Sequence, residues 1–296
     1  MKRFFTLSAV ALTFAAVTSS CLDNNGKEPE NKATYNYGPV FNTITDKTTG
    51  EVYYNDDTEY QLTIDYVNST LSVTTTDLKL SSGSQKHTIQ ISPMPVKIQT
   101  GTVEQGVQSI IVSAENAYAI TAPTQLDITD LSLAWTDRAI GGAYNPLIGL
   151  SYTINDTYDV VVMPNTATYF GTVTSTNAMS GDAFTANNIK TVVKFNPLDG
   201  TAAIDLNGIQ FVGAMPALNM TFPGIKFDAV KSTYTLASEA LTPTIKDTPY
   251  PNYPITNLKA EASLATGKMT LSFTCTPMGM GAYNVTAEFG PVSIEE

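Results

Sequence analysis

The sequence predicts an all-β protein built from two tandem antiparallel β-domains. Apolar and polar residues alternate with a period of two through both halves of the chain, and no stretch after residue 20 shows a capped amphipathic helix. Short segments of the first half recur in the second half in the same order. Two domains follow, 35–165 and 166–296. Each has room for about eight strands, which fits an up-and-down barrel or a sandwich.

The chain begins with the pattern of an export signal. Lys2 and Arg3 precede an apolar stretch that is too short to span a bilayer and ends at small residues before Cys21. The arrangement resembles a bacterial lipoprotein signal, in which residues 1–20 are removed and Cys21 becomes the acylated N-terminus. Thr18 departs from the aliphatic residue usual at its position, so ordinary signal-peptide cleavage is the alternative.

Residues 21–34 are predicted to be a disordered tether because they are polar and rich in Asn and Glu. An acidic, Asn-rich segment directly after the cysteine resembles exported lipoproteins of Bacteroidota. That resemblance implies an outer-membrane lipoprotein on the cell surface, with the periplasmic face as the alternative. The acyl chains would provide the membrane attachment.

Strand and turn signals appear in both predicted domains. Leu258–Leu264 and Met269–Cys275 alternate on either side of Thr266-Gly267, as expected for a hairpin with one buried face. Asp199-Gly200 marks a second hairpin, since Asp-Gly is a strong turn signal. The first domain shows a similar pattern around Asn68-Ser69. These hairpins predict antiparallel sheets in both domains.

The repeat is visible in several short matches. The paired segments are Tyr37–Val40 with Phe170–Val173, Asp77–Leu80 with Gly208–Phe211, Met94-Pro95 with Met215-Pro216, Tyr118 with Tyr234, Ile128–Leu131 with Ile255–Leu258, Leu150–Ile154 with Leu271–Cys275, and Tyr158–Val160 with Tyr283–Val285. Each match is short, but all occur in the same order. We therefore predict an internal duplication with insertions in loops.

The last part of the chain carries a family resemblance. Ile255–Leu258, Gly267–Phe273 and Tyr283–Gly290 resemble the closing strands of calycin-like (lipocalin-like) surface lipoproteins of Bacteroidota. The resemblance implies a β-barrel or a half-open barrel. It implies no functional residue.

Composition excludes several functions. The chain has 27 acidic and 16 basic residues, a net charge of -11, two cysteines and one histidine, His87. A nucleic-acid surface would need a basic patch, and a histidine-rich or Cys₄ metal site would need more ligands. The carboxylates at 56–59 and the pair Asp156/Asp159 lack EF-hand spacing. We expect no cofactor, no metal and no catalytic residue, with His87 at a strand end.

Two aromatic features are the candidate contact residues. Tyr250 and Tyr253 lie in a proline-rich insertion of the second domain, where two rigid rings could face a partner or fold back onto their own domain. Trp135, the only tryptophan, is interpreted as a core residue that would line a ligand cavity if the barrel were hollow.

These observations predict a non-enzymatic, monomeric, lipid-anchored binding protein of the cell envelope. Its partner would be a glycan, a small apolar ligand or a host protein. The first alternative is a structural or adhesive subunit of a surface assembly, which would oligomerise through exposed strand edges. The remote alternative is a glycoside hydrolase that uses two carboxylates.

The leader generates the first testable prediction. Mass spectrometry of membrane fractions should find an acylated Cys21 at the mature N-terminus. A Cys21→Ala variant should leave the membrane fraction, because the acyl chains provide the attachment. An unmodified N-terminus elsewhere, with unchanged membrane association of Cys21→Ala, would contradict the prediction.

Overall fold

The computed structural model describes residues 32–102, 108–114, 117–120, 125–136, 139–140, 143–144 and 147–290. In this part of the chain nearly all regular structure is β-strand, and the 3₁₀ turn Pro277–Gly279 is the single helical element. The all-β prediction is therefore confirmed. The predicted leader and Cys21 lie outside the described residues.

The N-terminal half forms one curled antiparallel sheet and a small hairpin. Its strands are β1 (Lys32–Asp46), β2 (Val52–Asp65), β3 (Thr70–Leu78), β4 (His87–Pro95), β5 (Lys97–Thr102), β6 (Gln108–Ala114), β7 (Ala117–Ile120), β8 (Gln125–Thr136), β9 (Ala139–Ile140), β10 (Ala143–Tyr144), β11 (Leu147–Ile154) and β12 (Tyr158–Pro164). Strands β9 and β10 pair only with each other. The other ten belong to what we call the N-terminal sheet.

The strand order of the N-terminal sheet is β11-β12-β1-β2-β3-β4-β7-β8-β6-β5, so the last strand, β12, pairs with the first, β1. Strand β11 pairs with both β12 and β8. Strands β4 and β7 share only the pairs Gln90↔Ile120 and Ile91↔Ala119. The same register continues in β5 and β6, beginning at Lys97↔Ser113, so β4 and β5 together act as one bent strand.

The C-terminal half forms the second sheet, a closed eight-stranded barrel with a short hairpin added. Its strands are β13 (Thr166–Asn177), β14 (Ala183–Asn196), β15 (Thr201–Ile209), β16 (Leu218–Val230), β17 (Thr233–Leu241), β18 (Thr244–Ile245), β19 (Thr248–Pro249), β20 (Ile255–Ser263), β21 (Lys268–Cys275) and β22 (Tyr283–Gly290). Each of the eight long strands pairs with its neighbour in sequence, and β22 pairs with β13. We call this unit the C-terminal barrel.

The chain passes from one sheet to the other between Pro164 and Thr166. At the N-terminal end, Lys32 of β1 already pairs with Asp65 of β2, and Ala33 and Thr34 continue the ladder. Residues 32–34, predicted as tether, are therefore the start of the first strand. Strand pairing supplies their backbone N–H and C=O groups with hydrogen-bond partners, which water would supply in a tether.

The two sheets bend at corresponding places. Asp46 Oδ1 accepts hydrogen bonds from the backbone N–H groups of Thr48 and Thr49, and Asn177 Oδ1 accepts the same pair from Met179 and Ser180. Left-handed backbone also recurs in step, at Gly50 and Gly181, Asp57 and Asn188, Ser69 and Gly200, Asp77 and Gly208, and Asp130 and Asn257. Glycine, Asn and Asp adopt this conformation most easily.

These landmarks test the sequence matches. Leu150–Ile154 and Leu271–Cys275 lie in β11 and β21, the next-to-last strands, and meet the last strand in the same register, with Ile154 opposite Tyr158 and Cys275 opposite Tyr283. The Met94/Met215 match is wrong, because Met94 ends β4 whereas Met215 precedes β16. The Tyr37/Phe170 match is two residues out of register, since Phe41 opposite Met163 corresponds to Thr172 opposite Glu288.

The interior of the C-terminal barrel is packed with side chains. Phe222 of β16 meets Phe273 of β21 at 5.1 Å between ring centroids, although these strands are not neighbours. Tyr169 of β13 and Tyr234 of β17 join their hydroxyls at 2.8 Å from opposite walls. All four side chains are buried. Side chains from facing walls therefore fill the lumen at these levels.

The interior of the N-terminal sheet holds a buried polar network. The Tyr60 hydroxyl donates to Asn42 Oδ1 at 2.6 Å and lies 2.9 Å from the Tyr152 hydroxyl. Asn42 Nδ2 donates to Thr58 Oγ1 at 2.8 Å. These four residues are at most 2% exposed, so their hydrogen bonds offset the cost of removing them from water.

An apolar contact joins the two sheets. The Phe41 ring, on the outer face of β1, lies 5.8 Å from Phe195 and 5.9 Å from Phe227 of the barrel. The neighbouring Val161 and Met163 of β12 are buried in the same cluster. The corresponding positions of the barrel are Thr172, Thr286 and Glu288, and all three are exposed. The outer face is thus apolar only where the other sheet covers it.

Close contacts complete this interface. Thr136 Oγ1 of the N-terminal sheet lies 2.7 Å from the Ala265 carbonyl oxygen and 3.2 Å from the Leu264 carbonyl oxygen of the barrel, and can donate to either. At Gly149 a Cβ atom would lie 2.9 Å from Ser232 Cβ. Glycine at 149 therefore permits the close approach of β11 to the barrel.

The interface generates a stability prediction. Phe41→Thr places on the N-terminal sheet the residue that the barrel carries at the corresponding site. We expect it to lower the free energy of unfolding by about 3 kcal/mol, because a buried ring between two others is lost. Urea unfolding measures the change. The matched control Thr172→Ser, on the exposed face, should have little effect, and equal effects of both variants would contradict the assignment.

The tyrosine network generates a pH prediction. Burial raises the pKa of Tyr60 and of Tyr152 above the ordinary phenol value of 10.0. In the unfolded chain these phenols ionise near that value, whereas in the folded protein they stay protonated. The folding stability that the raised pKa values contribute is therefore complete below pH 10 and is lost as the pH rises further. Tyr60→Phe should make the alkaline loss of stability less steep in unfolding measured between pH 8 and 11.

Tyr60→Phe should also cost about 1–3 kcal/mol at neutral pH, because Asn42 Oδ1 loses its donor. Tyr158→Phe, a half-buried tyrosine of the same sheet, is the control and should leave the neutral-pH stability nearly unchanged. An unaltered alkaline slope in Tyr60→Phe would contradict the role of the network.

Candidate functional site

The proline-rich insertion folds over one end of the C-terminal barrel. The Tyr253 ring packs against Phe211 at 6.0 Å and against Tyr250 at 5.2 Å, and Tyr253 is only 4% exposed. The Tyr250 N–H donates to the Pro243 carbonyl at 2.8 Å, and the Tyr253 N–H donates to the Tyr250 carbonyl at 3.1 Å. The segment 242–254 is therefore a cap on its own barrel.

This placement corrects one part of the site prediction. The burial of Tyr253 does not fit a ring that faces a partner, because its surface is already covered by Phe211 and the cap itself. Tyr250 is half-buried at the edge of the cap. A partner contact at Tyr250 stays a prediction.

The floor beneath the cap is apolar. Phe211 and Tyr283 lie 5.8 Å apart and are 0% and 4% exposed, and Cys275 beside them is fully buried. Val212 and Met215, in the connection from β15 to β16, pack against the same core. Burial raises the pKa of the Cys275 thiol to about 12, so this cysteine is a packing residue and not a nucleophile at neutral pH.

The corresponding end of the N-terminal sheet is built differently. Leu80 stands where the barrel has Phe211, Tyr158 where it has Tyr283, and Ile154 where it has Cys275. Ile154 is fully buried, whereas Leu80 and Tyr158 are only half-buried, and the nearby Tyr53 is half-buried as well. We call Tyr53, Leu80, Ile154 and Tyr158 the N-terminal mouth.

The chain connections at this end differ in length. Strands β17 and β20 are joined by residues 242–254, whereas β7 and β8 are joined by residues 121–124, which lie outside the described residues. Strands β21 and β22 are joined by residues 276–282, which include the 3₁₀ turn, whereas β11 and β12 are joined by 155–157 alone. The N-terminal sheet thus has less chain available at its mouth.

The rim of the N-terminal mouth is polar. Its connection from β3 to β4 reads Ser81-Ser82-Gly83-Ser84-Gln85-Lys86, where the barrel has Val212-Gly213-Ala214-Met215-Pro216-Ala217. The turn itself is the same, since Ser84 N–H donates to the Ser81 carbonyl at 3.2 Å and Met215 N–H donates to the Val212 carbonyl at 3.0 Å. The two connections therefore share a backbone turn but differ in their side chains. The polar side chains of the N-terminal connection fit a rim in contact with water.

Two further groups border this rim. Lys86 Nζ forms an ion pair with Asp77 Oδ1 at 3.1 Å, with both side chains more than half exposed. His87 begins β4, the strand-end position that the sequence predicts, and is half-buried. Neither is held in a buried constellation of the kind that catalysis uses.

A cavity of about 330 Å³ lies between the two sheets. Its N-terminal wall includes Asp130, Thr153 and Asp159, and its other wall is the barrel segment 228–231. Thr153 Oγ1 donates to Asp159 Oδ1 at 2.8 Å. Within the described residues no group of three or more metal-ligating side chains occurs, in this cleft or elsewhere.

The backbone of Trp135 lies in β8, between Ile110 of β6 and Ile148 of β11. Its indole lies outside the described side chains, so its predicted core or cavity role stays a prediction. Met280, beside the 3₁₀ turn, is 44% exposed.

Comparison with protein-family models and with curated proteins finds no match for this chain. Across the described residues, no helix has both the length and the apolar character that crossing a membrane requires.

The cap generates a third prediction. Tyr253→Ala should destabilise the barrel by about 3 kcal/mol, because it removes a buried ring from the floor. The change should also speed the reaction of Cys275 with a thiol reagent, since the ring shields that end of the barrel. Thermal unfolding and timed thiol labelling measure the two effects. Tyr250→Ala is the control and should change both less, and the reverse order would contradict the capping role.

Proposed function

We propose that this protein is a lipid-anchored, non-enzymatic binding protein of the cell envelope that takes its partner at the N-terminal mouth. The observation that carries the proposal is a difference between the corresponding ends of the C-terminal barrel and the N-terminal sheet. One is closed by its own Tyr253, and the other presents half-buried Tyr158 and Leu80 inside a polar rim.

The chemistry of the mouth fits a glycan or a protein partner. Tyrosine offers a flat apolar face together with a hydroxyl, and serine, glutamine and lysine side chains at the rim supply hydrogen bonds. The packed lumen of the barrel disfavours a small apolar ligand inside it. The packing therefore favours contact with a partner at the surface of the N-terminal sheet.

We infer further that the two halves are copies of one calycin-like unit. The recurring left-handed positions and the shared order of strand pairing support a duplication. Side chains at the interface and at the two ends then diverged, so that one copy remained capped and the other became the binding unit. Framework positions hold the fold, whereas loops are free to change.

The proposed location is the outer membrane, most simply its cell-surface side. With acylated Cys21 as the anchor, residues 22–31 separate the lipid from the first described strand. A fully extended segment of that length reaches about 35 Å. The sheet would be held near the membrane but free to meet a partner.

Two other functions remain alternatives. A structural subunit that assembles through strand edges gains little from the C-terminal barrel, because pairing of β22 with β13 closes it. A carboxylate-dependent glycoside hydrolase would find three carboxylates, Asp130, Asp159 and Asp228, in the cleft between the sheets. These carboxylates make the cleft the place to test for hydrolysis.

The binding proposal is tested with the mature Cys21→Ser protein on glycan arrays and on a panel of purified envelope and host proteins. Tyr158→Ser should weaken any detected binding by about tenfold or more, because a central aromatic contact is lost. The matched control Thr286→Ser changes an exposed hydroxyl residue of the barrel and should not alter binding. Equal binding by both variants would contradict the site.

The hydrolase alternative has its own test. Chromogenic glycosides should not be turned over by the wild-type protein above the rate of an Asp159→Asn variant. Turnover that disappears in Asp159→Asn or Asp130→Asn would replace the binding proposal with an enzymatic one.

A further inference from the structure

The cleft between the two sheets has an excess of negative charge. Its walls present three carboxylates, Asp130, Asp159 and Asp228, and none of them forms an ion pair with another described residue. Lys47 borders the cleft, but its ammonium group pairs with Asp156 at 3.3 Å. Lys231 is the other cation of the lining. A positively charged group between the carboxylates would therefore be stabilising.

The C-terminal barrel shows that the charge of Asp159 is not required for folding. Thr153 Oγ1 donates to Asp159 Oδ1 at 2.8 Å, and these two residues are opposite each other in the ladder. At the corresponding pair of the barrel, Thr274 Oγ1 donates to Asn284 Oδ1 at 3.2 Å. An amide oxygen thus accepts the same hydrogen bond that the carboxylate accepts in the cleft.

The charge of Asp130 is not required for folding either. Asp130 has left-handed backbone with a φ of 52°, and the corresponding Asn257 has a φ of 54°. Both residue types adopt this conformation. Asp130 and Asp159 share one cavity, so their charges are available there for a ligand.

The floor of the cleft is buried and carries a hydroxyl group. Ser151 lies opposite Val161 in the ladder, and Val161 packs into the apolar cluster that includes the barrel core, so both side chains face the barrel. Ser151 is only 6% exposed and lines the cavity. Its hydroxyl has no hydrogen-bond partner among the described residues. Since buried hydroxyls are normally hydrogen-bonded, this one is placed to bind a ligand.

The dimensions of the cleft favour a small organic cation. Its volume of about 330 Å³ lies near the lower end of the range for small-molecule sites. Within the described residues, no group of three or more side chains is arranged to hold a metal ion. The carboxylates belong to opposite walls, with Asp228 on the barrel. An ammonium group has three N–H donors for such acceptors.

The barrel wall supplies contacts for a hydroxyl-rich ring. Val230 lines the cavity and is 63% exposed, so it offers apolar surface to the C–H face of a sugar. Lys231 forms no ion pair with the described residues and can donate to ring hydroxyls. A simple alkyl amine would leave both Lys231 and the Ser151 hydroxyl without a partner.

We propose that the cleft between the sheets binds an amino sugar. Its ammonium group pairs with the carboxylates of Asp130, Asp159 and Asp228, and its hydroxyl groups bond to Ser151 and Lys231. The site is separate from the N-terminal mouth and adds a small-molecule ligand to the function proposed above.

The ligand class is tested by calorimetric titration of the mature Cys21→Ser protein. The panel contains glucosamine, galactosamine and mannosamine, each with its parent hexose and its N-acetyl form. We expect saturable binding of at least one amino sugar. Its two uncharged counterparts should bind about tenfold more weakly or worse, because the charge-assisted hydrogen bonds are lost. Equal binding of charged and uncharged forms, or no binding of any amino sugar, would overturn the inference.

Variants test the position of the ligand. The double variant Asp130→Asn/Asp159→Asn carries the amides found at the corresponding sites of the barrel, so it should remain folded, as circular dichroism can verify. It should bind the amino sugar about tenfold more weakly or worse. The matched control Asp57→Asn changes another exposed, left-handed aspartate outside the cleft and should not alter binding. Unchanged binding by the double variant would contradict the site.

Nuclear magnetic resonance separates this inference from the proposed function. The amino sugar should shift the backbone signals of Ser151 and Ala229, on facing walls of the cleft, and leave that of Leu80 at the mouth in place. A shift at Leu80 with unchanged Ser151 would overturn the cleft site and assign the sugar to the mouth. Loss of Tyr158-dependent binding to every glycan and protein partner would overturn the proposed function and leave the cleft site standing.

Discussion

The pairing of the first strand with the last organises this molecule. In the N-terminal sheet β12 returns to β1, and in the C-terminal barrel β22 returns to β13. In the C-terminal barrel this pairing gives each of the eight long strands a partner on both sides, whereas in the N-terminal sheet β5 pairs only with β6. Curling turns one face of each sheet inward. Function is thereby left to the outer faces and to the ends.

Corresponding strands of the two halves carry different surfaces. Phe41 on the outer face of β1 corresponds to Thr172 on β13, and the apolar residue is the one that the other sheet covers. At the ends the pattern is reversed, since the apolar Phe211 belongs to the capped barrel and half-buried Leu80 to the N-terminal mouth. Each surface is thus more apolar where described residues cover it, and the described residues place no cap over the N-terminal mouth.

Period-two alternation and turn residues were enough to predict the fold class, because a strand with one buried face must alternate. The register between the two halves was harder to predict, as the two-residue error at Tyr37/Phe170 shows. Strands of similar composition can be aligned in more than one register. The sequence left two positions open for Tyr253, because a proline-flanked tyrosine has the same local sequence whether it faces a partner or its own barrel. The apolar run Val212–Ala217, opposed to Ser81–Lys86, was the available signal.

Among the described residues, one end of the molecule is covered by its own chain and the corresponding end is not. Hydroxyl-radical footprinting of the folded protein, read by mass spectrometry at single tyrosines, tests it within one molecule. Tyr158 and Tyr283 occupy corresponding positions, so intrinsic reactivity is matched. The account predicts clearly faster oxidation of Tyr158 than of Tyr283, which is 4% exposed. Equal rates at the two positions would contradict it.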